Sequence, residues 1–317
     1  MDPADTAGNT NYRQLADRLG FSLLQRRITK QAGLWAKEVH QGKGVFTVER
    51  VVPLDQMIKL FLLVTGLTGR GLRNFLDIQI ITNVVRIEGL PSSFRGYRVL
   101  QLADLHLDLY PPLLDVILKK LEGVMCDVVV LTGDYHNKIA ENAEVSLTLM
   151  GKLLQALKAP SYGILGNHDF IEKAAYLEAM GLNLLLNENV ELSRGTERIW
   201  LCGVDDPHYF KTEDLDKARA GVPKEETAIL LSHSPETYAL AEELGYALLL
   251  AGHTHGGQFC LPGGIPIVRN ADVPSALIAG PWKWGRLQGY TSRGTGGCGV
   301  AARFNCPPEI TLHILEG

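Results

Sequence analysis

The sequence predicts an α/β fold with sheets buried on both faces, preceded by a helical N-terminal extension. From Arg98 onward, short β-branched or Leu-rich runs alternate with helical stretches, which is typical of layered α/β proteins. Most of these runs are continuously apolar, which indicates strands covered on both faces. The chain has 317 residues, 46% of them hydrophobic and 21% charged, enough for one large domain and an appendage.

Residues 1–93 form the predicted extension, which is basic and largely helical. Residues 12–30 have the leucine spacing of an amphipathic helix. A second helix is expected from Leu54 to about Thr65, and it is apolar nearly all round. Such a helix is covered by the body of the protein or by a self-association contact, or it dips into lipid. The sequence leaves these alternatives open.

Charge is divided unevenly along the chain. Residues 1–100 hold 14 Lys and Arg against 8 Asp and Glu, whereas residues 101–317 hold the remaining 17 and 27. A basic front end is either a solvated face or a site of attraction to anionic surfaces. One expected partner is therefore an anionic membrane surface, contacted through residues 12–70. No nucleic-acid partner is expected, because few aromatic residues are interleaved with these charges.

The lack of a recognisable targeting signal in the sequence predicts a cytoplasmic protein. The first thirty residues lack the apolar core of a secretory signal. The longest strongly apolar uncharged run, Leu60 to Gly69, has ten residues, against about 20 for a spanning helix. The five cysteines are scattered without a CxxC pair, which fits a reducing compartment. Any membrane contact is expected to be peripheral, at the inner face.

Potential metal ligands follow five of the predicted strands. In α/β sheets, the loops beyond the carboxyl ends of strands form the ligand crevice. The candidates offer only oxygen and nitrogen donors, which suit manganese, iron, zinc or similar ions rather than a Cys-rich zinc site. They suffice for two ions if one carboxylate bridges. In an extended segment, the Asp-x-His and His-x-His spacings would point both side chains the same way. The candidates are Asp104, His106, Asp134, Asn167, His233, His253 and His255.

The same segments resemble the five ordered motifs of the calcineurin-like metallophosphoesterase superfamily. The motifs are Asp104-Leu105-His106, Gly133-Asp134, Gly166-Asn167-His168-Asp169, His233 and Gly252-His253-Thr254-His255. The segments after His255 and at the C-terminus are similar to the YkuE-like bacterial branch. The resemblance implies a four-layered α/β/β/α sandwich and a metallophosphoesterase domain over residues 94–317.

The resemblance also implies roles for individual residues. Asp104, His106 and His255 would hold one divalent ion, and Asn167, His233 and His253 the other. Asp134 would bridge the two ions, which could be manganese, iron, zinc or nickel. A hydroxide bridging the two ions would be the nucleophile at phosphorus.

Two further residues are candidates for catalysis. His168 is the best placed to protonate the leaving group or to stabilise its charge. Asp169 either orients that imidazole or caps the loop with its carboxylate. Near the C-terminus, Arg293 and Arg303 either contact the substrate phosphate or tie the Gly-rich loop to the body.

The sequence therefore predicts a dinuclear metal-dependent phosphoesterase that cuts a phosphomonoester, a phosphodiester or a pyrophosphate in a small molecule or lipid. The basic, apolar front end favours an envelope or lipid-linked substrate. One alternative is cleavage of UDP-2,3-diacylglucosamine, known from other members of the superfamily, and another is a protein phosphatase. A non-catalytic scaffold is disfavoured, because all seven ligand candidates and His168 are present.

Overall fold

Fourteen strands are found in the computed structural model, which describes residues 12–40, 54–137 and 143–317 apart from the side chains of 35–40 and 54. They are β1 (Gln79–Arg86), β2 (Tyr97–Leu102), β3 (Val128–Leu131), β4 (Ser161–Gly163), β5 (Asn183–Leu184), β6 (Glu188–Arg194), β7 (Glu197–Gly203), β8 (Ala228–Leu231), β9 (Leu248–Ala251), β10 (Cys260–Leu261), β11 (Ile265–Pro266), β12 (Gly280–Trp284), β13 (Leu287–Thr291) and β14 (Glu309–Glu316).

Helices precede, separate and cover these strands. They are α1 (12–19), α2 (Phe21–His40), α3 (Leu54–Val64), α4 (Thr68–Leu76), α5 (Leu113–Leu121), α6 (Glu144–Ala156), α7 (Ala174–Ala179), α8 (Leu215–Ala218) and α9 (Tyr238–Glu243).

Two six-stranded mixed sheets form the centre. The first has the order β1-β14-β2-β3-β4-β5 and the second β12-β13-β9-β8-β7-β6, while β10 and β11 form a separate hairpin. Strands β2 to β5 are parallel neighbours, and so are β7, β8, β9 and β13. Parallel neighbours end at the same edge of a sheet, so the loops after them come together.

Side chains of these strands enter different apolar layers. In β2, Val99 enters the layer between the sheets, whereas Leu100 and Leu102 pack against helices α5 and α6 on the outer face. In β8, Ile229 faces the layer between the sheets and Leu230 the outer layer with α8 and α9. Three apolar layers therefore lie between four layers of secondary structure, in the order helices, sheet, sheet, helices. This confirms the predicted four-layered sandwich.

The first sheet begins earlier in the chain than expected. Strand β1 pairs with β14 along its whole length, from Gln79 opposite Glu309 to Arg86 opposite Glu316. The predicted boundary between residues 93 and 94 therefore falls after the first strand of the sheet, and the extension is not purely helical. The polar residues in Gln79–Arg86 lie on a half-exposed edge strand, so this run lacks the continuous apolar character used to recognise the other strands.

The N-terminal helices pack on the outer face of the first sheet. Leu15, Leu19 and Leu24 are buried in the same core as α5 and α6. Helix α3 buries Leu62 against Val300 and Ala302, but most of its other apolar side chains are exposed. No helix in the described ranges is long and apolar enough to cross a membrane.

Candidate metal centre

All seven predicted ligand residues meet at one edge of the two sheets. Asp104 and His106 follow β2, Asp134 follows β3 and Asn167 follows β4; His233 follows β8, and His253 and His255 follow β9. All except Asn167 are buried.

The donor atoms form two groups. Those of Asp104, His106 and His255 lie within 4.8 Å of one another, and so do those of Asp134, His233 and His253. Asn167 joins the second group, since its Oδ1 is 3.0 Å from His233 Nε2. This grouping agrees with the one that the family resemblance implied.

Asp134 faces both groups. Its Oδ2 lies 3.5 Å from Nε2 of His106 in the first group and 3.3 Å from Nε2 of His233 in the second. Its other oxygen, Oδ1, accepts a hydrogen bond from the His168 backbone N–H at 2.9 Å. One carboxylate thus has an oxygen placed between the two sets of donors.

Backbone carbonyls fix the orientation of the imidazoles. His106 Nδ1 lies 2.7 Å from the His136 carbonyl oxygen, and His233 Nδ1 lies 2.8 Å from that of Thr132. A carbonyl only accepts, so each Nδ1 must donate, and Nε2 is left to face the centre. In His253, by contrast, Nε2 donates to the backbone carbonyl of Asn270 at 2.9 Å, so Nδ1 is the nitrogen that keeps a lone pair for a cation.

The pKa values of the donor histidines differ: two suit a bound cation, and that of His233 is held high by the Asp134 carboxylate. Burial lowers the pKa of His106 to about 4 and that of His253 to about 3, so both rings are neutral at neutral pH, as metal binding requires. Burial also lowers the pKa of His233, but the Asp134 carboxylate outweighs it and raises that pKa to about 10. The buried Nε2 of His106 has no hydrogen-bond partner among the residues that the structure describes. A buried, unpaired nitrogen facing a carboxylate is what a metal would satisfy.

Left-handed backbone turns bring the side chains together. Asp104, His106, Asp134, His253 and His255 all have φ between 40° and 70°, a conformation that costs roughly 1–3 kcal/mol in a non-glycine residue. Residues 103–106 and 252–255 are therefore not extended, and the expectation that alternation would aim their side chains is wrong. The donors converge because each chain segment kinks directly after its strand.

Glycines keep this region closely packed. A Cβ on Gly166 would collide with Asp134 Oδ1 and lie 2.8 Å from both the Asp134 backbone nitrogen and His233 Cε1. We expect Gly166→Ala to displace Asp134 and to reduce phosphoester hydrolysis about 10- to 100-fold, the usual effect of disturbing groups that support metal ligands. Hydrolysis of a chromogenic phosphodiester measures the effect.

The control for this variant is Gly33→Ala in α2, where an added Cβ meets no atom of the described residues within 4 Å. Alanine there should retain activity and stabilise the helix by up to about 1 kcal/mol. Normal activity in Gly166→Ala would show that the loop tolerates a side chain beside Asp134.

Of the two predicted catalytic residues, only His168 faces the cavity. The carbonyl of Asn137 lies 2.5 Å from His168 Nδ1, and the ring lines the cavity in front of the metal ligands. Asp169 accepts from the backbone N–H groups of Asp134 (2.7 Å), Gly166 (3.0 Å) and Tyr135 (3.0 Å). Asp169 therefore caps the two ligand loops, and the Asn137 carbonyl, not Asp169, orients the imidazole.

The two C-terminal arginines tie the loop to the body. Arg303 is buried, and its guanidinium donates to the carbonyls of Gly296 and Arg293 at 2.6 and 2.7 Å. Arg293 pairs with Glu309 at 2.5 Å. Neither of them lines the cavity in front of the metal ligands.

Other residues of the cavity were missed by sequence reasoning. The cavity has a volume of about 570 Å³, and His208, Glu236 and Arg269 line it together with His168. The His208 ring lies 4.1 Å from that of His253 and its Nδ1 is 3.0 Å from Glu236. Arg269 and His208 stand in segments without a motif, so only the fold brings them to the site.

Several known proteins are similar to this chain in sequence. A family model described as calcineurin-like phosphoesterase matches residues 97–257. The Bos taurus "Transmembrane protein with metallophosphoesterase domain" is 29% identical over 301 residues, 87% of this chain and 66% of that protein. The Escherichia coli "Phosphodiesterase YaeI" is 28% identical over 73% of this chain and 86% of its own length.

The "Uncharacterized metallophosphoesterase YkuE" of Bacillus subtilis is 28% identical over 78% of this chain and 90% of its own length. The family model covers half of the chain, including the loops after β2, β3, β4, β8 and β9. The chain therefore belongs to the calcineurin-like phosphoesterases, phosphoester hydrolases that use two divalent metal ions.

Proposed function

We propose that the seven clustered residues hold two divalent ions and that the protein hydrolyses a phosphodiester. Asp104, His106 and His255 would hold one ion, Asn167, His233 and His253 the other, and Asp134 would bridge them. The position of Asp134 Oδ2 between His106 Nε2 and His233 Nε2 carries the proposal. A non-catalytic scaffold would have no need to bury these donors around a central carboxylate.

When bound, the ions would neutralise phosphoryl oxygens and activate the attacking water. The chain's own residues hold and orient the substrate. His168 lines the cavity and donates from Nδ1 to the Asn137 carbonyl. Burial lowers the pKa of this imidazole, but the Asp134 carboxylate outweighs burial and holds the pKa well above its usual value, so the doubly protonated ring also carries a proton on Nε2 that can pass to the leaving oxygen. Arg269 lines the same cavity, and a guanidinium there suits a phosphate oxygen. The name of the YaeI phosphodiesterase supports a diester as the substrate.

Metal removal tests this proposal. We expect the purified protein to bind about two ions per chain, to lose phosphodiester hydrolysis after chelation and to regain it with manganese, iron, zinc or nickel. His253→Ala should bind one ion fewer, because it removes a donor from one group only. The readouts are metal content and hydrolysis of bis(p-nitrophenyl) phosphate.

A buried histidine outside the cluster serves as the control. His313 in β14 contacts Asn83 and Gln101, so His313→Gln should keep both ions even if it lowers stability. Hydrolysis that persists in fully demetallated protein would contradict the proposal.

We also propose that the protein attaches to a membrane surface and acts on an envelope or lipid-linked substrate. The N-terminal helices carry many basic residues, but some of these already pair with acidic residues of the same chain. Their charges therefore give only weak support to membrane attachment. Arg18 pairs with Glu178 and Glu188, and Arg27 with Asp205. Attachment through helix α3 is better supported, because five of its apolar side chains are 53–77% exposed: Met57, Leu60, Phe61, Leu63 and Val64. The name of the bovine relative includes the word transmembrane.

Flotation with liposomes tests the attachment. Leu60→Ser combined with Leu63→Ser should reduce co-flotation with anionic vesicles several-fold, since burial of an apolar side chain contributes about 1.5–3 kcal/mol. The control is Leu240→Ser on α9, which removes an exposed leucine (41%) from another helix. Equal flotation of the wild type and the α3 variant would contradict attachment through α3.

A further inference from the structure

A second cavity adjoins the metal centre and is lined mostly by apolar side chains. It has a volume of about 580 Å³, within the range of about 300–1,000 Å³ that is typical of small-molecule sites. One wall is formed by α3, one by the segment around the β10–β11 hairpin, and one by the C-terminal loop. The apolar lining includes Ile58, Leu62, Phe259, Val268, Val300 and Phe304. We call it the apolar groove.

The apolar groove adjoins the cavity in front of the seven clustered residues. His255, Asn270 and Cys298 line both. His255 is one of the seven clustered residues, so the groove begins beside the position proposed for the phosphate. A molecule bound in the metal cavity therefore lies beside the groove, with only these shared side chains between the two.

Two of the polar side chains that line the groove, Gln258 and Asp55, are already engaged. Gln258 Nε2 donates to the carbonyl of Val300 at 2.9 Å, and its Oε1 accepts from the Cys298 N–H at 2.9 Å. The Asp55 carboxylate pairs with Lys59 at 3.3 Å. A ligand segment that makes hydrogen bonds would lose its partners in water here and gain few in return. The lining therefore fits a hydrocarbon segment.

The mouth of the groove is apolar on both sides. On α3, Phe61 is 60% exposed, and on the opposite side Ile267 and Val268 are 63% and 47% exposed. All three line the groove. Soluble proteins rarely leave large apolar patches uncovered unless something binds there, and exposed apolar side chains on a helix suit contact with a lipid surface.

We propose that the apolar groove binds the hydrocarbon chain of an amphiphilic phosphoester whose phosphate lies in the metal cavity. This inference rests on the proposed phosphoesterase function and specifies its substrate class. The groove adjoins the phosphate position, its lining is mostly apolar with Gln258 and Asp55 engaged, and its mouth lies beside the exposed face of α3. These three features select a substrate with a charged phosphate at one end and a chain at the other.

Two substrates with the same leaving group test the inference. Methyl and dodecyl p-nitrophenyl phosphate differ only in chain length, and both are assayed as monomers with the metal-loaded protein. Burial of a few methylene groups should make kcat/KM for the dodecyl ester about 100-fold higher or more. Val268→Trp and Ile58→Trp, which fill the groove from opposite walls, should remove most of this advantage and leave hydrolysis of the methyl ester unchanged.

The matched control is Val145→Trp on α6, where the valine is also half-exposed (47%) but outside the groove. Val268 is exposed, so its variant should fold even if that of Ile58 does not. Calorimetric binding of monomeric dodecyl phosphate to chelator-treated protein gives a readout without turnover, and Val268→Trp should weaken it.

Hydrolysis of both esters at equal rates would overturn the groove as a chain-binding site and leave the phosphoesterase intact. Failure to hydrolyse either ester with any of the four metals would overturn the proposed function itself. A chain-length advantage that survives in both tryptophan variants would place the chain outside the groove and contradict the inference.

Discussion

Replacing Asp134 with asparagine is expected to reduce phosphodiester hydrolysis about 1,000-fold or more without unfolding the protein. Asp134 Oδ2 lies within 3.5 Å of a nitrogen from each donor group, so its charge serves both proposed ions. Asparagine keeps the shape and an oxygen that can accept from the His168 N–H, but it removes the charge. A 1,000-fold lower rate of hydrolysis corresponds to the loss of several kcal/mol of transition-state stabilisation, because each factor of ten is worth about 1.4 kcal/mol. Bound metal ions would supply stabilisation of this size.

Metal titration and steady-state kinetics on the same preparations measure this effect. We expect Asp134→Asn to bind both ions more weakly and to keep its melting temperature in the absence of metal within a few degrees of the wild type. Asp115→Asn, which neutralises an exposed carboxylate in the first turn of α5, should change neither property. Full occupancy by two ions together with half of the normal rate would rule out a bridging role for Asp134.

The clustering of the seven donor residues could be predicted because it depends on local chain order. Five of the apolar runs are each followed closely by a donor residue, and the carboxyl ends of parallel strands meet at one edge of a sheet. The means of convergence could not be predicted. It depends on left-handed turns at residues such as Asp104 and His253. Asp and His adopt that conformation more often than most non-glycine residues but still rarely, so residue type alone does not predict it.

The contacts of Asp169 and of the N-terminal arginines show a different limit. Asp169 could equally have faced His168, and only the folded loop shows that it accepts from three backbone N–H groups instead. Similarly, a basic segment has the same composition whether its charges meet a membrane or the acidic body of its own chain. Arg18 and Arg27 both meet acidic residues more than 150 positions away. Composition cannot identify partners so distant in sequence.

Arg27 connects helix α2 to the metal-site loop. It is fully buried, with Nη1 3.0 Å from Asp205 Oδ1 and its guanidinium 3.9 Å above the Phe210 ring. Its Nη2 donates to the Asp169 carbonyl at 2.6 Å. We expect Arg27→Met to lower the free energy of unfolding by about 3–5 kcal/mol, because Asp205 would remain buried without its partner.

Denaturant unfolding measures this loss, and two variants define its cause. Arg26→Met removes the neighbouring exposed arginine, which donates to the Lys211 carbonyl, and should cost no more than about 0.5 kcal/mol. Asp205→Asn in the Arg27→Met background should recover part of the lost stability, because it removes the unpaired charge. If the double variant were as unstable as the sum of both single variants, the ion pair would not be the cause.

The pH dependence separates loss of the charge pair from loss of packing. Burial raises the pKa of Asp205, Asp206 raises it further, and Arg27 opposes both; without Arg27 the pKa should rise more. A carboxyl whose pKa is higher in the folded than in the unfolded protein loses stability as pH rises between the two values. The destabilisation by Arg27→Met should therefore be smaller at about pH 5 than at about pH 8. A loss that is equal at both values would mean that Arg27 acts through packing on Phe210. In both cases, a loss of unfolding free energy in Arg27→Met would mean that the N-terminal helices contribute to the stability of the sandwich rather than forming an independent extension.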